Sequence, residues 1–131
     1  MRQNINKINL NDIGIGNEGL KDLCQIEFKE LKELGLYMNN ISDIKVLENV
    51  KFEKLEKLNL GHNEISDINI LEKVKFKELK ELNLDENNIS DIKVLKNVKF
   101  EKLELLDLKG NKIRNASRFS KLKKKMLNFK I

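Results

Sequence analysis

The chain offers few residues able to do chemistry. It holds one His and one Cys among 131 residues. His62 with Glu64, Asp85 and Glu86 supplies an imidazole and carboxylates, the groups that a metal site or an acid–base pair would use. The signal is poor, because carboxylates on a charged surface are ordinarily just solvated. Cys24 has no His close in sequence to activate it, so it reads as a structural thiol. One Cys also rules out a disulfide within the chain and a Cys-based zinc site. The expectation is a non-enzymatic protein with no catalytic residue, no metal and no cofactor.

Composition bounds the rest. There are 26 basic and 21 acidic residues, 36% of residues are charged, and 40% are hydrophobic. The charged share exceeds the ~25% usual in globular domains, so the surface must be densely ionic while a core remains available. A membrane span needs roughly 20 apolar residues in a row, and no stretch comes near that. The opening MRQNINKINLND lacks the apolar core of a signal peptide. With one Cys, this points to a reducing cytoplasm.

The elements that must position these side chains come from a repeat. Residues 31–54, 55–78 and 79–102 align without insertions on L-x-x-L-x-L-x-x-N-x-I-S-D-I-x-x-L-x-x-V-x-F-x-x, and residues 103–131 begin LELLDLKGNKI before drifting. Leu34-x-Leu36, Leu58-x-Leu60, Leu82-x-Leu84 and Leu106-x-Leu108 alternate with period two, which marks a short strand. Ile44, Leu47, Val50 and Phe52 recur at spacings of three, three and two, which reads as one or two helical turns on the return side. Ser42, Ser66 and Ser90 stand where each helix should start and are expected to cap it, with the following Asp complementing its positive end. One such unit cannot bury its own apolar residues, whereas stacked units can. Four or five coils would set their strands side by side as a parallel sheet at ~4.8 Å spacing. Helices need more room than strands, so the stack should curve with the sheet inside.

This pattern resembles the leucine-rich repeat proteins. The ISDIxxL continuation is similar to the repeats of bacterial internalins and phosphatase-1 regulators. Residues 1–30 are an atypical first repeat, in which IGNEGLKDL resembles the longer repeats of ribonuclease-inhibitor-type proteins. Leu20, Leu23, Ile26 and Phe28 there take the roles of Ile44, Leu47, Val50 and Phe52. The resemblance implies an α/β fold: a right-handed leucine-rich repeat solenoid with a parallel sheet on its concave face and short helices on its convex face, forming one domain over 1–131. It also implies an Asn ladder from Asn39, Asn63, Asn87 and Asn111. The Phe column should be a spine of packed rings, and MLNFKI at 126–131 could add a last strand.

Residues 31–54 and 79–102 differ at only four places: Gly35/Asn83, Tyr37/Asp85, Met38/Glu86 and Glu48/Lys96. Three of these lie on the outward side of the strand or just past it. The neighbouring repeats add Asn59, Gly61, His62, Asp107 and Lys109 at matching places. Identical coils presenting different side chains suit recognition. The expected binding face is therefore Gly35, Tyr37, Met38, Asn59, His62, Asn83, Asp85, Glu86, Asp107 and Lys109. It grades from the apolar Tyr37 and Met38, through His62, to acids. The expected partner is a protein, and the resemblance allows an enzyme that is inhibited or regulated; the chain itself is expected to be a monomer. The alternative is a nucleic-acid or ribonucleoprotein accessory. Residues 109–131 carry nine positive charges and no acid, with Lys121, Lys123, Lys124 and Lys125 densest, and such a run can bind phosphates.

Overall fold

The computed structural model describes residues 4–114 and 128–131. Strands of three residues recur as β1 (Lys7–Asn9), β2 (Glu33–Gly35), β3 (Lys57–Asn59), β4 (Glu81–Asn83), β5 (Leu105–Asp107) and β6 (Asn128–Lys130). They form one sheet in chain order, parallel throughout, so the described residues contribute six strands rather than four or five coils. The register follows the repeat: Leu34 faces Leu58, Leu58 faces Leu82, and Leu82 faces Leu106. Pairing runs past the strands, because the N–H groups of Leu36, Leu60 and Leu84 each donate to the next coil at 2.8 Å. A backbone with few hydrogen bonds inside its own coil thus finds its partners in the neighbouring one.

The return side begins with α1 (Gly16–Leu23), which buries Leu20 and Leu23. The following coils return through single 3₁₀ turns at Lys45–Asn49, Asn69–Glu72 and Lys93–Lys96. The apolar spacing explains the tighter winding. Ile44, Leu47 and Val50 stand three apart, and three residues make one 3₁₀ turn. The capping expectation needs correction, because Ser42, Ser66 and Ser90 do not cap these turns. The Asp after each Ser does, with Asp43, Asp67 and Asp91 accepting from the N–H of Lys45, Asn69 and Lys93 at 2.8–3.0 Å. Here the carboxylate reaches an N–H two residues on, as Asp readily does in turns.

Between the two sides lies one continuous apolar core of Leu, Ile, Val and Phe. Full burial of such a side chain is worth about 1.5–3 kcal/mol. The rings of Phe28 and Phe52 lie 6.0 Å apart, and those of Phe76 and Phe100 lie 6.5 Å apart. The Asn ladder is present. Asn63 Oδ1 accepts from the N–H groups of Asn39 and Ile41, both at 3.0 Å, and its Nδ2 donates to the carbonyls of Leu36, Leu60 and Gly61. Asn39 and Asn87 repeat the arrangement and are buried, while Asn111 is partly covered. β6 joins the sheet beside β5; Lys121 and Lys123–Lys125 lie outside the described residues.

Candidate functional site

The strand side presents four columns, one residue of each per coil. The first is Lys7, Glu33, Lys57, Glu81 and Leu105. Its charges alternate, and they pair: Lys7 Nζ sits 3.0 Å from Glu33, and Lys57 Nζ 3.7 Å from Glu81. The Lys7 ammonium holds the Glu33 carboxyl below its ordinary range. The same alternation continues just before the strands, where Glu30 pairs with Lys54, Glu56 with Lys80 and Glu78 with Lys102. This charge is spent within the molecule.

The second column is Asn9, Gly35, Asn59, Asn83 and Asp107. Three of its expected binding residues have a structural task. Asn59, Asn83 and Asp107 each accept the N–H two residues on, at 2.9–3.0 Å, which fixes the bend after the strand. Together with the first column they line a shallow groove of about 490 Å³.

The third column is Asn11, Tyr37, Gly61, Asp85 and Lys109. Tyr37 is half-buried, and its ring meets the His62 imidazole with centroids 4.8 Å apart at 55°. Asp85 leans back over Gly61, so closely that a methyl group on Gly61 would overlap Asp85 Oδ1. That oxygen is shielded from water and accepts no hydrogen bond among the described residues. Burial pushes the Asp85 carboxyl upward and Asp107 adds repulsion, while His62 and the Asn83 side chain pull it back.

The fourth column is Asp12, Met38, His62, Glu86 and Gly110, all with φ between 49° and 71°. This left-handed backbone favours Gly and Asn over bulky side chains. Met38, His62 and Glu86 nevertheless occupy it, and all three are exposed. With Asp12 and Asn40 they border a second groove of about 320 Å³.

The expected site residues therefore gather on one face. Tyr37, His62 and Asp85 come from three successive coils and meet there, while Met38 and Glu86 flank them at the corner. Glu64 is exposed, and no group of three or more His, Cys, Asp or Glu among the described residues is placed to hold a metal ion. Cys24 packs against the core beside α1, where burial pushes its thiol up to about 12, far from a reactive thiolate. Sequence reasoning missed the first column and Asn11. The signal was available: those positions alternate with the buried Leu residues at period two.

A stacked parallel sheet with 24-residue register, an Asn ladder and return turns defines a repeat solenoid. The family model for leucine-rich repeats in two copies matches residues 29–73 and 53–97, and the chain belongs to the leucine-rich repeat family. Among solved structures it is similar to an internalin (inlF) of Listeria monocytogenes, at 32% identity and a TM-score of 0.57 over 82% of this chain. The match covers 27% of that internalin, so this chain spans about a quarter of its length. Internalin C2 of the same organism shares the fold at 18% identity and a TM-score of 0.53, covering 95% of this chain and 80% of that one. No match was found among curated proteins. Leucine-rich repeat proteins generally mediate protein–protein interaction.

Proposed function

We propose that this chain is a non-enzymatic interaction module that docks a protein partner on its concave strand face, around Tyr37, Met38 and His62. One observation carries the reading. Met38 and His62 hold bulky side chains on left-handed backbone, outside the strand and in view of solvent, with His62 against the Tyr37 ring. Backbone economy would place Gly or Asn there, so the side chains themselves are what those positions supply. Aromatic residues and Met are also the types enriched where proteins bind proteins. A partner that is itself an enzyme, inhibited or regulated by the contact, fits this surface.

The test is affinity capture from source lysate with the wild-type chain and with a Tyr37→Ala/Met38→Ala variant, followed by mass spectrometry. A protein retained by the first and reduced at least about tenfold by the second is expected. Equal retention by both would reject the face as the main contact. Capture of nucleic acid that survives the double substitution and fades with salt would instead favour the basic segment holding Lys121 and Lys123–Lys125.

A further inference from the structure

We infer that the chain pairs with a second copy of itself through the open edge of β1, antiparallel about a two-fold axis at Ile8. This goes beyond the docking function proposed above and replaces the monomer expected from the sequence. The first coil has no neighbour on its outer side among the described residues. Ile8, Leu10, Ile15 and Phe28 are half-buried there, whereas Leu34, Leu36, Ile41 and Phe52, in the same places one coil on, are no more than 2% exposed. Ile13 and Ile26 are 59% and 51% exposed, more than any other large apolar side chain among the described residues. Terminal coils of solenoids ordinarily turn a polar face outward. α1 adds to the apolar end. The Asn17 side chain reaches the next coil at Ser42, so the opposite flank of the helix, with Ile15 and Gly19, faces outward.

The edge itself sets the direction of the occupant. The Leu10 N–H donates to Gly35 and the Asn6 carbonyl accepts from Glu33, so the even-numbered residues along β1 bond to β2. The N–H and C=O groups of Lys7 and Asn9 point the other way, as an unpaired strand edge. A further coil stacked parallel to the first would need a ladder amide at its corner. Asn39 serves the first coil in this way: its Oδ1 accepts from the N–H groups of Ile13 and Ile15, and its Nδ2 donates to the Leu10 carbonyl. In the first coil Ile13 holds the ladder place and offers neither group, so a parallel neighbour would bury an unpaired corner. An antiparallel strand brings its corner to the other end and does not use the ladder. Charge and hydrogen bonding then select the register. Opposing Lys7 to Lys7 sets like charges face to face. Opposing Asn9 to Asn9 sets Lys7 against Asn11, whose N–H is already taken by Asn9 Oδ1. Opposing Lys7 to Asn9 of the second copy makes four backbone hydrogen bonds, leaves Lys7 on its own Glu33, and puts Ile8 against Ile8 across the axis. Reversal also brings Ile26 of each copy toward Ile15 and Gly19 of the other. The two six-stranded sheets become one, with both concave faces on the same side. Two coil ends in contact bury on the order of 1,000 Å², the size at which specific contacts begin.

The experiment is analytical ultracentrifugation of the full chain from about 1 µM to about 1 mM. A monomer–dimer equilibrium is expected, weakened at least about tenfold by Ile13→Glu/Ile26→Glu. The thermal melt of that variant should stay near the wild type, because both side chains are already exposed. Ile8→Cys in a Cys24→Ala background reads the register. Residues opposed on the axis have Cα atoms ~4.5 Å apart, within disulfide range, so oxidation should link the dimer. Lys7→Cys in the same background lies off the axis and should link far less. A monomer throughout the range overturns the proposal. So does a dimer indifferent to Ile13→Glu/Ile26→Glu but lost in Tyr37→Ala/Met38→Ala, which would put self-association on the concave face. Oligomers that keep growing with concentration would mean end-to-end stacking and overturn it as well. Should Ile13→Glu/Ile26→Glu melt early, the cysteine comparison decides: equal linking at positions 7 and 8, or none at either, rejects the two-fold contact.

Discussion

Asn11 supplies to Tyr37 the oxygen that Gly35 cannot. In the later coils the N–H two residues past the strand's last position is accepted by a side chain of its own coil: Asn59 for Gly61, Asn83 for Asp85, Asp107 for Lys109. At Gly35 there is no side chain, and the Tyr37 N–H donates instead to Asn11 Oδ1 of the preceding coil at 2.9 Å. A Cβ on Gly35 would come within 2.8 Å of that oxygen, so the glycine and the asparagine require each other.

A double-mutant cycle tests the exchange. Gly35→Asn alone should destabilise by crowding Asn11, and Asn11→Ala alone by leaving the Tyr37 N–H without its acceptor. Each loss should be about 1–2 kcal/mol. The double variant should recover most of it, since the amide introduced by Gly35→Asn would then accept as Asn59 and Asn83 do. Urea unfolding reads the cycle, and purely additive losses would count against the exchange.

The ladder at the inner corner carries more. Asn63 satisfies two N–H groups and three carbonyls at a buried bend. Asn63→Ala strands them together, and a loss of roughly 3–5 kcal/mol is expected. Asn63→Asp should be nearly as harmful, because a carboxylate keeps the acceptor but loses the amide donor. Chemical denaturation would show it, and a loss below about 1 kcal/mol for Asn63→Ala would contradict the ladder's role.

Much of this was legible in the sequence, because stacked coils repeat and repetition is visible. Leu34, Leu58, Leu82 and Leu106 share a column in the structure because they share a place in the repeat. What the repeat conceals has a period of two coils. Glu33 and Glu81 are identical, as are Lys32 and Lys80, so comparing 31–54 with 79–102 hides the alternation that Lys57 and Glu56 complete. The exchanges at glycine are hidden too. Gly35 with Asn11, and Gly61 with Asp85, are neighbours only across coils, and part of the variation that reads as recognition is compensation between adjacent turns. Ser42 reads as a cap in the sequence because two capping residue types stand side by side, and backbone geometry selects Asp43.

The alternating column should have a measurable salt signature. Lys57 stands between Glu33 and Glu81 on the concave face, pairing with Glu81 at 3.7 Å. Lys57→Glu would line up three acids in successive strands, and like charges directly opposite destabilise a sheet. We expect a fall in Tm of about 2–5 °C at low salt, modest because the side chains are solvated. Raising NaCl to about 0.5 M shortens the screening length to about 4 Å and should recover at least half of the loss. A loss unaffected by salt would mean that packing, not charge, governs the column.

Asp85 makes the opposite prediction for a single acid. Its carboxyl is raised in the folded chain, by burial first and then by Asp107. The folded state therefore keeps this proton at a pH where the unfolded chain has already released it. At neutral pH the ionised carboxylate costs stability. The cost is relieved as pH falls through the raised value, and the relief is complete below the ordinary carboxylate value. Glu30, Glu33 and Glu78 run the other way, since their Lys partners hold them low, so they lose stability as pH falls through their lowered values. The informative quantity is thus the difference between wild type and Asp85→Asn across pH. The variant should melt about 1–3 °C higher at pH 7, a small gain because solvent still reaches much of the residue. That advantage should shrink through the acid range and vanish below the ordinary value, where the wild-type side chain is neutral as well. A variant less stable than wild type at pH 7 would mean that Asp85 is matched by a partner inside the fold.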